Sequence, residues 1–207
     1  DSAPSPSSVT VDESGQVAGA SGIGTSSLLV TSTECFLSGC TEEDAVLRYN
    51  GSTGTYIGVH IPSIQDPWAM AIHPIRESLL VVSRADSKVR EYDAQTGTLV
   101  RVLVSPGTEG LNAPQGMALS PTGRLFLASN QTLGQLDKFN GILEFDSTTG
   151  AFVSNLVDGG SSVSETCSNP ICLRGPNAMM VAPNGILYVI SAINDSVQDY
   201  TLAGTFL

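Results

Sequence analysis

Short apolar runs recur along the chain without a helical period. Leu28-Leu-Val-Thr-Ser32, Leu79-Leu-Val-Val-Ser83, Leu125-Phe-Leu-Ala-Ser129 and Leu187-Tyr-Val-Ile-Ser191 are nearly continuous in apolar character. They lack the alternation of a half-exposed strand, so they predict strands buried on both faces. A second β-prone segment follows each run: Val46-Leu-Arg-Tyr-Asn-Gly-Ser-Thr-Gly54, Val89-Arg-Glu-Tyr-Asp-Ala-Gln-Thr-Gly97, Ile142-Leu-Glu-Phe-Asp-Ser-Thr-Thr-Gly150 and the degenerate Val197-Gln-Asp-Tyr-Thr-Leu-Ala-Gly204. A β-branched residue, two variable positions, an aromatic, then Asx and Thr-Gly make a strand entering a hairpin. The Asx side chain bonds the turn backbone, and glycine supplies the positive φ. Another β-prone run follows each turn.

Upstream of three of these pairs stands Pro-x-Ala/Gly-Met-x-aliphatic-x-Pro, from Pro67 to Pro74, Pro114 to Pro121 and Pro176 to Pro183. The first copy lacks it, and Val17 to Gly24 occupies its place. Each unit therefore predicts four strands, A to D, and the serines ending strand B are 51, 46 and 62 residues apart. Four-stranded antiparallel units at this period predict an all-β fold, a β-propeller whose blades bury both faces against their neighbours. The blades span about 25–61, 67–104, 114–157 and 176–207, behind a Ser/Gly/Pro-rich segment, 1–24, in which Val9-Thr-Val11 could form a strand. Tyr49, Tyr92, Phe145 and Tyr200 are expected to pack between blades.

The string Pro114-x-Gly-Met-Ala-Leu-Ser-Pro-Thr-Gly-Arg-Leu-Phe-Leu-Ala-Ser129, with Ile142-Leu-Glu-Phe-Asp-Ser-Thr-Thr-Gly-Ala-Phe-Val153, resembles the NHL-type and related six-bladed propeller repeats of secreted proteins. The resemblance spans roughly residues 27 to 207. It implies a complete ring of six blades, of which four are visible. A piece of a longer chain, a four-bladed ring, and an arc whose edges pair with neighbouring subunits all fit that count. The family includes scaffolds, protein- and glycan-binding modules, lactonases and lyases, so it leaves the function open. Lactonase-type members hold a divalent cation at the channel mouth. Asp86, Asn130, Asn194 and Asp195 could offer oxygen ligands to a Ca²⁺ there, but the family's acidic set does not align onto inner-strand positions of this chain.

In a propeller the B–C loops and D–A connections share one face. Six steps separate Ser83 from Val89 and Ser191 from Val197, but 14 separate Ser32 from Val46 and 13 separate Ser129 from Ile142. Blades one and three thus carry insertions on that face, as does the connection from Val157 to Pro176. Cys35 and Cys40 lie in the first insertion, and Cys167 and Cys172 in the long connection. Two Cys-x4-Cys pairs in polar loops, with no histidine nearby, predict two short-range disulfides rather than a metal site. Stapled insertions on one rim suggest a contact face, with Glu42, Glu43, Asp44, Gln135, Asp137 and Lys138 as its candidate residues.

Composition narrows the partners. The 207 residues carry a formal charge of −11, with two Lys and seven Arg spread singly, which argues against nucleic acid and anionic membrane surfaces. No apolar run approaches the roughly 20 residues of a membrane helix. The start, Asp1, has no basic or apolar leader, so a mature product is expected. Disulfides and the sequons at Asn50, Asn130 and Asn194 agree with a secreted, extracellular or cell-surface protein that could be N-glycosylated. His60 ends a D strand and His73 sits in an A–B turn, away from any channel, and no nucleophile elbow or phosphate loop occurs. The sequence therefore predicts a non-enzymatic interaction or structural module with a protein or glycan partner, or with itself. A metal-dependent lactonase or lyase is the alternative.

Overall fold

The computed structural model describes residues 6–9 (backbone only), 27–33, 44–130, 141–159 and 173–207. These fold into fifteen β-strands and one short 3-10 turn, with no α-helix among the described residues. The fold is all-β and propeller-like: four antiparallel sheets, each with its strands in sequence order. Sheet one contains β1 (Pro6–Val9), β2 (Ser27–Ser32), β3 (Ala45–Asn50) and β4 (Tyr56–Ile61). Sheet two contains β5 (Pro67–Ile72), β6 (Leu79–Ser83), β7 (Lys88–Tyr92) and β8 (Leu99–Val104). Sheet three contains β9 (Gly116–Leu119), β10 (Arg124–Ser129), β11 (Gly141–Asp146) and β12 (Phe152–Asp158). Sheet four has three strands, β13 (Pro176–Val181), β14 (Ile186–Ser191) and β15 (Ser196–Thr201).

The chain forms two compact units that divide within β8, Asp1–Val102 and Leu103–Leu207. Sequence periodicity does not mark this division, because it falls inside a strand.

Two strands differ from expectation. The free edge of β2 is taken by Pro6–Val9, whereas Val17 to Gly24 was the expected occupant and lies outside the described residues. Edge pairing uses backbone donors and acceptors, so a Ser/Pro-rich segment without the A-strand motif can fill it, and a proline is tolerated at a strand's first residue. The fourth strand expected of the last repeat is reduced to a single bridge between Tyr200 and Phe206.

Register sorts the side chains. Antiparallel partners share a face, so Leu79 with Tyr92 and Val81 with Arg90 point one way, while Leu80 with Glu91 and Val82 with Val89 point the other. In the first unit the Leu79, Val81 and Tyr92 face packs against Leu29, Val46 and Ile61 of the preceding sheet. In the second unit the equivalent Leu187, Val189 and Tyr200 pack against Ala118, Phe126, Ile142 and Val157. Both joints thus bury one aromatic of the repeat, as the sequence predicts for Tyr92 and Tyr200. Phe145 is also fully buried, while Tyr49 is half-buried and meets Tyr56 edge to face at 5.4 Å.

The turns follow the predicted chemistry. Asn50, Asp93 and Asp146 each accept two backbone N–H bonds on Oδ1, from the residues two and three positions on. The degenerate fourth copy uses the Thr201 hydroxyl, which accepts from the Ala203 and Thr205 amides.

Candidate functional site

The serine that ends strand B in sheets two, three and four has a role the sequence did not disclose. Ser129 Oγ accepts from the Asn112 amide at 3.0 Å and lies 3.3 Å from the Asn112 carbonyl. Ser191 Oγ makes the same pair of bonds with Arg174, both at 3.0 Å. Ser83 Oγ lies 2.6 Å from both the Gln65 carbonyl and Asp86 Oδ1, with one proton to serve them. All three hydroxyls are buried. Each ties the end of strand B to the segment entering strand A, on the face where B–C loops and D–A connections meet.

In the first unit this loop face carries a connected polar network. Asp44, the last polar residue of the first insertion, accepts the Asp66 amide on Oδ2 at 2.6 Å. Asp66 has a left-handed backbone, φ 47°. It accepts Trp68 Nε1 at 2.8 Å and Arg84 Nε at 2.6 Å. The Arg84 guanidinium in turn lies over the Trp68 ring, 4.8 Å from its centroid, a cation–π arrangement. Trp68 is the sole tryptophan of the chain and is half-buried. Beside this network Asp86 accepts Lys88 Nζ at 2.9 Å and is paired with Arg90. Burial opposes its ionisation, but the hydrogen bonds from Arg90, Ser83 and Lys88 outweigh it and bring its pKa down to about 2.

The other sequence candidates fall as follows. Cys35, Cys40, Cys167, Cys172, Glu42, Glu43, Gln135, Asp137 and Lys138 lie outside the described residues. Of the three sequon asparagines, Asn50 uses Oδ1 in its turn, Asn130 donates Nδ2 to Gln115 Oε1 at 2.8 Å, and Asn194 donates its amide to Ser191. His60 Nε2 donates to the Ala94 carbonyl at 3.1 Å, and burial lowers its pKa. His73 Nδ1 accepts from the Ile75 and Arg76 amides. Both rings hold turns together. Asp86 already faces two cations, which opposes a further positive charge, and no group of three His, Cys, Asp or Glu able to hold a metal occurs among the described residues.

The remaining buried charges brace sheets. Glu91 accepts from Ser78 Oγ and Arg101 Nε, both at 2.6 Å, and Glu144 accepts from Arg124 Nε at 2.6 Å. These glutamates occupy equivalent third positions of the C strand, which in the sequence reads as merely variable.

No protein-family model and no curated protein matches the chain. Solved structures do, 501 chains in number. One is a Kuenenia stuttgartiensis hydrazine synthase, 18% identical, with a TM-score of 0.63 over 99% of this chain and 48% of that one. The chain thus spans about half the length of the structure it matches. At that identity the likeness shows the fold, and the fold it shows is the all-β, propeller-like one built from the repeat.

Proposed function

We propose that this protein is an extracellular or cell-surface interaction module of NHL-like propeller repeats, non-enzymatic, that presents its loop face to a protein or glycan. The observation that carries the reading is the network from Asp44 through Asp66 to Trp68 and Arg84. It braces the base of the first insertion and holds an indole, a guanidinium and carboxylates in fixed relation. A braced aromatic beside charged donors and acceptors suits sugar rings and peptide side chains, because little side-chain entropy remains to be lost on contact. The Cys-x4-Cys spacing, the sequons and the acidic, weakly charged composition support the compartment.

The test uses the single tryptophan as its reporter. Glycan and extracellular-protein arrays supply candidate ligands, and titration of each against the intrinsic fluorescence of Trp68 should give a saturable change. Arg84→Ala should weaken binding about tenfold, the scale of one lost charged contact. The same protein assayed against a lactone panel with added Ca²⁺ should show no turnover. Ca²⁺-dependent hydrolysis would replace this reading with the lactonase-like one.

A further inference from the structure

An Asx turn follows the third strand in each of the first three sheets. Asn50 opens it in the first sheet, where Asp93 and Asp146 open it in the second and third. Glycine follows Asn50, whereas Ala94 and Ser147 follow the two aspartates. Asn50 Oδ1 accepts the Ser52 amide at 3.0 Å and the Thr53 amide at 2.9 Å. Among the described residues neither Asn50 Nδ2 nor the Gly51 amide has a partner, and residues 51–55 are exposed.

Two fixed N–H donors on a carbonyl oxygen favour attack at its carbon, because they stabilise the negative charge that develops on the oxygen. The nucleophile at hand is the Gly51 nitrogen, whose own residue has no side chain to obstruct the approach. A second Asn-Gly pair supplies the comparison. Asn184-Gly185, in the turn between β13 and β14, is exposed as well. There Oδ1 accepts the Ile186 amide at 3.1 Å, and the Gly185 N–H is already bonded to the Ala182 carbonyl at 2.9 Å. That nitrogen must break a hydrogen bond before it can react. In the third pair Asn140, which precedes Gly141, lies outside the described residues.

We propose that Asn50 is a site of spontaneous deamidation, preferred over Asn184 because of how the fold holds its turn. The Gly51 nitrogen attacks Asn50 Cγ and closes a succinimide. The new C–N bond forms as the Cγ–Nδ2 bond breaks; the Gly51 proton passes to solvent base and Nδ2 leaves as ammonia. Water then opens the ring at either carbonyl to give aspartate or isoaspartate, and nothing is oxidised or reduced. Aspartate makes the first turn like the other two, where Asp93 and Asp146 accept the same pair of amides. Isoaspartate adds a carbon to the backbone and breaks the spacing on which those bonds depend. Either product adds one negative charge and removes the asparagine of the sequon. Asn50 stands at the opposite end of β3 from Asp44, so this chemistry is independent of the proposed function.

The test incubates the unglycosylated chain at mildly alkaline pH and follows residues 50 and 184 by peptide mapping with mass spectrometry. Isoaspartyl methyltransferase labelling of the same peptides measures the isoaspartate formed. In the folded protein Asn50 should convert at least about tenfold faster than Asn184, the rate effect of one backbone hydrogen bond that must open first. In concentrated urea both turns are lost, and the two rates should converge. Gly51→Ala adds a methyl group where the backbone is not left-handed, and it should slow conversion at residue 50 without changing Asn184. Thermal unfolding confirms that this variant folds. Equal rates in the folded protein, or a preference for Asn50 that persists in urea, would overturn the proposal.

Discussion

A glycine closes the turn between the third and fourth positions of all four repeats, yet its neighbours differ. Gly54 and Gly97 share a left-handed backbone, φ 70° and 71°, but only Gly97 is pressed against another sheet. In dilute solution Gly54→Ala should cost about 1 kcal/mol, the left-handed penalty alone. Gly97→Ala should cost about 3 kcal/mol, because the methyl also overpacks the joint. Urea denaturation of the two variants measures the difference, and equal losses would mean that the joint contributes nothing at that position. The Asx-x-x-Thr-Gly turn was legible in sequence because its bonds are local. The serine clamp was not, since its partners lie 17 or 18 residues upstream and are backbone atoms of any residue type.

Among strands, charge placement decides stability. Arg124 at the start of β10 donates to Glu144 within its own sheet and, through Nη2, to the Leu202 carbonyl beyond β15 at 2.7 Å. It therefore fastens the fourth sheet to the third. Arg124→Ala should destabilise the second unit by about 3 kcal/mol by leaving the Glu144 carboxylate buried and unpaired. Amide exchange in β14 and β15 should speed up more than in β10. In the first unit Asp86 links β6 to β7 through Ser83, Lys88 and Arg90. Its folded pKa lies below the ordinary value of 3.8, so ionised Asp86 favours the folded chain at neutral pH. That contribution is complete above the ordinary value and is lost as pH falls towards about 2. Asp86→Asn should lower stability at pH 7 and flatten the decline between pH 4 and 2, as followed by denaturation at stepped pH. An unchanged acid slope would assign the decline to other carboxylates. The sequence shows Arg and Glu on these strands, but only their register says which pairs face each other and which are buried.

At the scale of the whole molecule, the net charge of −11 is a long-range repulsion between copies, screened beyond a Debye length of about 10 Å at 0.1 M salt. The sequence by itself determined the all-β class, the apolar strand runs of the repeats and the turn chemistry. These depend on hydrophobic runs and bonds between residues two to four positions apart. Only the tertiary structure decided that Pro6–Val9 completes the first sheet and that the fourth has three strands. It also decided that Asp44 and Trp68 belong to one network. Those outcomes depend on backbone pairing and on which face meets another sheet, and four copies of one motif cannot encode how their neighbours differ.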